Sequence, residues 1–88
     1  MFDWSDEKDT VLRKQRGIGF QEIVFHIERG DVLLVVNHTN KEKYPNQKIM
    51  YVRVEDYVYL VPYVESNGKR FLKTIIPSRK ATKRFLEE

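Results

Sequence analysis

Eighty-eight residues carry sixteen Lys or Arg against thirteen Asp or Glu, a net charge of +3, with two histidines and no cysteine. That length predicts one domain over residues 1–88, with one small core. Without cysteine there are no disulfides or thiolate metal sites, and His26 and His38 have no ligand-spaced partner, so no metal or other cofactor is expected. The acidic N-terminus lacks an apolar leader segment and no apolar run approaches the length of a bilayer, which reads as a soluble protein of the reducing cytoplasm with no membrane contact.

Phe2 and Trp4 flank Asp3 in a two-residue alternation, too short for more than an edge strand or an anchoring arm. Ser5 then caps a helix over residues 6–16, with Asp6 and Glu7 in its first turn and Gly17 as the residue that ends it. Its apolar content is low, and Val11 and Leu12 are the residues read as facing inward. Phe20, Ile23, Val24 and Ile27 follow the i, i+3, i+4, i+7 rule, so residues 20–29 form a core helix ending at Gly30. His26 lies off that stripe and reads as a surface or boundary residue with no catalytic role.

From Val32 onward the period is that of strands. Residues 32–36 are an unbroken apolar run, read as a buried strand. Residues 37–47 are polar and turn-rich, a loop long enough to carry function, and His38 in it is the side chain whose ordinary pKa suits proton transfer near neutrality. Residues 48–54 and 57–64 form an antiparallel pair around Glu55-Asp56, and Asn67-Gly68 joins the second of these to a strand over residues 70–76. Tyr57, Tyr59, Val61 and Tyr63 share one face, as core aromatics or as a surface that stacks on bases. Pro62 interrupts the ladder and implies a bulge or an edge, and Pro77 ends the last strand.

Ser78 caps a final helix starting at Arg79. At about 100° per residue, Arg79, Lys80, Lys83 and Arg84 fall on one face and Ala81, Thr82, Phe85 and Leu86 on the other. The cations are read in the first turns and Glu87 and Glu88 at the end, against the helix dipole, a choice stability alone would reverse. Residues 69–88 hold seven of the basic residues and two of the acids, a local charge of +5 that leaves −2 for the rest. A patch of that kind favours a polyanion, nucleic acid first, and would equally attract an acidic protein. The order of elements predicts an α+β fold: a four-stranded antiparallel sheet with two N-terminal helices and a basic C-terminal helix.

Three stretches resemble the BrnT toxin family of bacterial type II toxin–antitoxin systems, which belongs with the RelE-like ribonuclease toxins: FDWSDEK at residues 2–8, GIGFQEI at 17–23 and TIIPSRKATKRFLEE at 74–88. The last, an Arg-Lys-Ala-Thr turn into a basic helix, is the most specific. Arg79 and Lys80 stand at the family's Arg-Lys, Tyr63 at the tyrosine ending a sheet strand and Lys48 where the family tends to have Arg. Gln15-Arg16, Leu12, Thr74 and the short Glu55-Asp56 turn depart from the pattern.

The resemblance implies metal-independent cleavage of RNA, in which the 2′-OH attacks the adjacent phosphate, translation stops, and a separate antitoxin restrains the enzyme. Arg79 would clamp the phosphate, with Lys73, Lys80, Lys83 and Arg84 adding charge, and Tyr63, Lys48 and His38 stand as unranked candidates for proton transfer. The antitoxin would make an acidic contact, carry its own DNA-binding part and form a hetero-oligomer. Two other classes use the same patch without catalysis: a nucleic-acid-binding module and a protein-interaction domain.

Overall fold

The computed structural model describes residues 1–40 and 42–87; Lys41, in the 37–47 loop, and Glu88, one of the two terminal acids, lie outside the described residues. In chain order the elements are β1 (Phe2–Asp3), α1 (Asp6–Arg16), α2 (Phe20–Glu28), β2 (Val32–Asn37), β3 (Gln47–Val54), β4 (Tyr57–Ser66), β5 (Lys69–Leu72), β6 (Ile76–Pro77) and α3 (Arg79–Leu86). The class is α+β as expected, but among the described residues the sheet has six strands and is mixed. Its order is β1-β5-β4-β3-β2, with β6 on β4 beyond the end of β5 and β1 parallel to β5. Among the described residues, no helix is long and apolar enough to cross a membrane.

Two local events turn the expected four strands into six. The N-terminal arm pairs Phe2 with Arg70 and Asp3 with Phe71, adding a short parallel edge. The strand expected over residues 70–76 breaks where it passes Pro62. In an antiparallel pair, opposed residues exchange two bonds on the same side. Pro62 accepts from Lys73 N at 2.8 Å, but has no N–H to return. Beyond that point the register slips by one residue, from Tyr63↔Leu72 to Leu60↔Ile76, which is a bulge of one residue. Pro77 is the last residue of β6, as expected, and it still pairs with β4: Ser78 N, one residue on, donates to Val58 O at 3.0 Å, so Pro77 turns its missing donor to the open edge.

Both hairpin turns form as two-residue connections. Asn67 and Gly68 have φ of 52° and 78°, the left-handed pair that such a turn requires.

The two faces of the sheet are covered separately. Met50, Val52 and Val54 of β3, Val61 and Tyr63 of β4 and Leu72 of β5 pack against Leu12 of α1 and Phe20 and Ile23 of α2. Ser5 caps α1 by accepting from Lys8 N at 3.2 Å, and Trp4 stacks on Phe20 with ring centroids 5.7 Å apart, which pins the arm to the core. Val11, expected inward, is 43% exposed while Leu12 is 1% exposed. Neighbouring helix positions diverge by about 100°, so a helix touching the core along one narrow line buries only one of the two. β2, expected to be buried, is an edge strand that leaves Leu33 and Val35 exposed.

α3 packs on the opposite face. Ser78 Oγ accepts from Ala81 N at 3.0 Å, and Thr82 Oγ1 donates to Ser78 O at 2.7 Å while accepting from Val58 N at 2.9 Å. Phe85 meets Tyr51 edge-on at 5.9 Å. Thr82→Val keeps the shape but strands the buried Val58 N–H, so unfolding by urea should show a loss of about 1–3 kcal/mol. A loss well below that range would mean that the hydroxyl does not hold α3 to the sheet.

Candidate nucleic-acid interface

Ala81 and Thr82 are buried, and Arg79, Lys80, Lys83 and Arg84 are exposed, so the two faces of α3 are those the spacing predicts. Among the described residues, none of these four cations is in an ion pair. The reversed charge order is only half present. The helix ends at Leu86 with Glu87 as its cap residue, so Lys83 and Arg84 lie in the last turn, where the dipole favours them. Arg79 and Lys80 alone sit at the unfavourable end.

Lys80 and Arg84 border a cavity of ≈ 230 Å³ completed by Tyr51, Leu60, Ser78 and Ala81. The Arg84 guanidinium lies over the Phe85 ring at 4.8 Å. An aromatic ring between two cations suits a nucleobase with a phosphate on either side. Tyr51 was not singled out in the sequence, although a signal was there: it alternates with Met50 and Val52, which fixes it on the face away from α1 and α2.

The other predicted residues fall elsewhere. Lys48 pairs across the strands with Tyr63 on the face that carries α1 and α2. His38 is next to them at the same end of the sheet, its backbone N–H donating to Gln47 O at 3.0 Å. Its Nδ1 accepts from Asn40 N at 3.0 Å and its ring rests 4.5 Å from that of Tyr44. Arg79 starts α3 beside Val58, five residues along β4 from Tyr63, or roughly 17 Å, and on the other face. Lys73 is exposed at the bulge between these ends. The structure thus gathers Lys48, Tyr63 and His38 at one end of the sheet and carries Arg79, Lys80, Lys83 and Arg84 on α3, against the other face.

Lys48 has an internal partner. Its Nζ lies 3.2 Å from Glu65 Oε1, and Arg70 Nε lies 3.3 Å from Glu65 Oε2. Those two bonds, Lys48 first, hold the Glu65 carboxyl below its ordinary range. Burial pushes the Tyr63 hydroxyl up, the direction that disfavours a phenolate base. The face read as a base-stacking surface is turned inward at Tyr63, which is 4% exposed. Among the described residues, no three His, Asp or Glu side chains converge as metal ligands.

Compared with protein-family models, with curated proteins and with solved structures, the chain matches none of them.

A carboxyl with a depressed folded pKa stabilises above its unfolded value, about 4.3 for Glu, and that contribution is lost as pH falls through the lower folded value. Glu65→Gln should therefore flatten the fall in stability below about pH 4.5 and leave the parent and variant closest at the acid extreme. Denaturation midpoints measured across that range would reveal it. Parallel curves would mean that Glu65 is not tied to Lys48 and Arg70 in solution.

Proposed function

We propose that this chain is an RNA-directed toxin of the BrnT kind, a metal-independent endoribonuclease of the bacterial cytoplasm that a cognate antitoxin holds inactive. The observation that carries the reading is the outer face of α3, where Arg79, Lys80, Lys83 and Arg84 have no ion-pair partner among the described residues and two of them, Lys80 and Arg84, share a cavity with Tyr51. Cations without internal partners are the ones a phosphate backbone can recruit without first breaking an ion pair. The Arg-Lys-Ala-Thr turn that begins this helix is also the most specific of the resembling stretches.

A second reading has its own support. The three candidates for proton transfer in the sequence stand at the far end of the sheet from Arg79, which favours a module that binds RNA without cutting it. Labelled RNA incubated with the purified protein in EDTA separates the two. The ribonuclease reading expects fragments ending in 2′,3′-cyclic phosphate, and growth arrest on expression that Arg79→Ala relieves while the protein stays folded. Bound but intact RNA, with and without ribosomes, would favour the binding module. Full toxicity in folded Arg79→Ala would remove that residue from the site.

The antitoxin proposed here meets the same cations with an acidic segment, carries a DNA-binding part and assembles with the toxin as a hetero-oligomer. Steered association makes the on-rate the sensitive quantity. Charge reversal at Lys83 and Arg84 together should slow association by about tenfold or more at low salt and much less at high salt, with dissociation little changed. Equal association rates for parent and variant at every salt concentration would place the docking surface elsewhere.

A further inference from the structure

The end of α2 builds a second polar site. Gly30, at φ 94°, turns the chain so that Asp31 N donates to His26 O at 2.9 Å, and the Asp31 carboxylate comes back onto the imidazole, Oδ2 to Nδ1, at 2.8 Å. Arg29 Nε lies 3.1 Å from the same Oδ2. β3 supplies the other wall: Arg53 N donates to Asp31 O at 2.9 Å, and Arg53 Nε donates to Glu55 O at 2.9 Å. His26, Arg29, Asp31, Arg53 and Glu55 together line a cavity of ≈ 310 Å³.

Three features make this more than a surface ion pair. The His26 side chain is only 12% exposed, and the Phe25 ring stands edge-on to it at 5.2 Å, so the imidazole is held. With Nδ1 committed to a carboxylate, the imidazole's free position is Nε2, the arrangement in which Asp fixes the tautomer of a general base. Each arginine is fastened through Nε, and its terminal N–H groups have no side-chain or backbone partner among the described residues. The charges facing His26 are Asp31 and Arg29 from the α2–β2 turn, Arg53 from β3 and Glu55 from the turn after it, which balance until the ring takes a proton. The hydrogen bond from His26, then the charge of Arg29, keeps the Asp31 carboxyl below its ordinary range, so it stays ionised beside the ring.

Arg53 also ties this cavity to the α3 face. It alternates with Val52 and Val54 of the opposite face and follows Tyr51 by two residues, roughly 7 Å along β3. A strand of RNA with a base on Tyr51 can carry a neighbouring phosphate toward Arg53.

We propose that His26, Arg29 and Arg53 form a site for a phosphodiester phosphate of RNA in which His26 Nε2 accepts the proton of the adjacent 2′-hydroxyl, with Asp31 as its positioning residue. The inference rests on the RNA reading above. In the step, the 2′ oxygen bonds to phosphorus as the P–O5′ bond breaks, and the leaving 5′ oxygen takes a proton from water. The products are a 2′,3′-cyclic phosphate and a 5′-hydroxyl, and His26 returns its proton to solvent.

Two measurements on the full chain test it. In the first, inorganic phosphate is titrated while the His26 ring resonances are followed by NMR. They should shift saturably, and Arg53→Gln should weaken that response by about tenfold, the loss of one charge-assisted contact. In the second, RNA cleavage by His26→Gln should fall at least about 100-fold, far more than any loss of RNA affinity in the same variant. Asp31→Asn should lower kcat for cleavage with KM little changed, because an amide that donates to Nδ1 moves the ring proton to Nε2 and removes the acceptor there. A His26 ring that ignores phosphate, or that responds equally in Arg53→Gln, overturns the site even if His26→Gln does not fold. If the parent cleaves RNA and folded His26→Gln cleaves it as fast, the site falls and the ribonuclease reading stands. If phosphate moves the ring but the parent never cuts RNA, the phosphate site stands, and the ribonuclease reading falls together with the proton-transfer role.

Discussion

One missing hydrogen-bond donor organises this fold. Pro62 lies in the middle of β4, the longest strand of the sheet, and on the side that faces β5 and β6 it can complete only one of the two bonds of its pair with Lys73. The partner strand slips by one residue there, and the slip has two consequences. Ile75, which strict alternation from Leu72 would send outward, is fully buried with the α1–α2 core. Ser78 then arrives opposite Val58, where its backbone and hydroxyl start α3 on the other face. The position of the basic helix is thus set by a proline that lies sixteen residues before the helix cap, Ser78.

A similar economy joins the first two helices. Gly19 has no side chain with which to cap α2, and Asp9 of α1 does it instead, accepting from Phe20 N at 2.7 Å while its other oxygen holds Arg13 at 3.3 Å. The glycine is required for space and not for backbone angle: a Cβ there would lie 2.7 Å from Asp9 Oδ1 and 2.8 Å from Arg13 Cγ. A helix with little apolar surface is fixed to its neighbour by a buried cap, supplemented by Leu12 and by the Trp4–Phe20 stack. The polar character of α1 therefore does not mean loose docking.

Local chemistry explains what could be read in advance. Ser5, Gly17, Asn67-Gly68 and Ser78 each act through neighbours a few residues away, and the elements they bound formed where their spacing put them. The errors came from partners distant in sequence. Residues 32–36 are apolar enough for a central strand, yet nothing in them says that β2 pairs on one side only, which is why Leu33 and Val35 face outward. The pairing of Phe2 with Arg70 is equally invisible locally. For the candidate site, the faces of α3 followed from its period, whereas the place of Tyr51 and the His26–Asp31 contact depend on how α2, β3 and α3 meet. His26 read as a surface or boundary residue because periodicity reports which side of a helix is apolar, and it carries no information about a carboxylate brought back by the turn at Gly30.

The distribution of ion pairs decides which cations are available to a polyanion. Lys48 and Arg70 share Glu65, so a phosphate that recruited either would compete with a carboxylate already in place. Arg13 is held by Asp9 across one helical turn. The Arg79, Lys80, Lys83 and Arg84 side chains meet no such competitor among the described residues, and the hydrophobic contacts of Ala81 and Phe85, with the buried hydroxyl of Thr82, fix the helix that carries them. A cation on a rigid helix loses less freedom on binding than one on a loop, so the same charge gives more net attraction there. Arg29 and Arg53 are an intermediate case. Each is anchored through Nε, and its other nitrogens have no hydrogen-bond partner among the described residues, which orients the guanidinium and leaves its outer edge available. Across the sheet, the charge at the Lys48 end is largely spent on holding β3, β4 and β5 together, while the charge on α3 is left facing solvent.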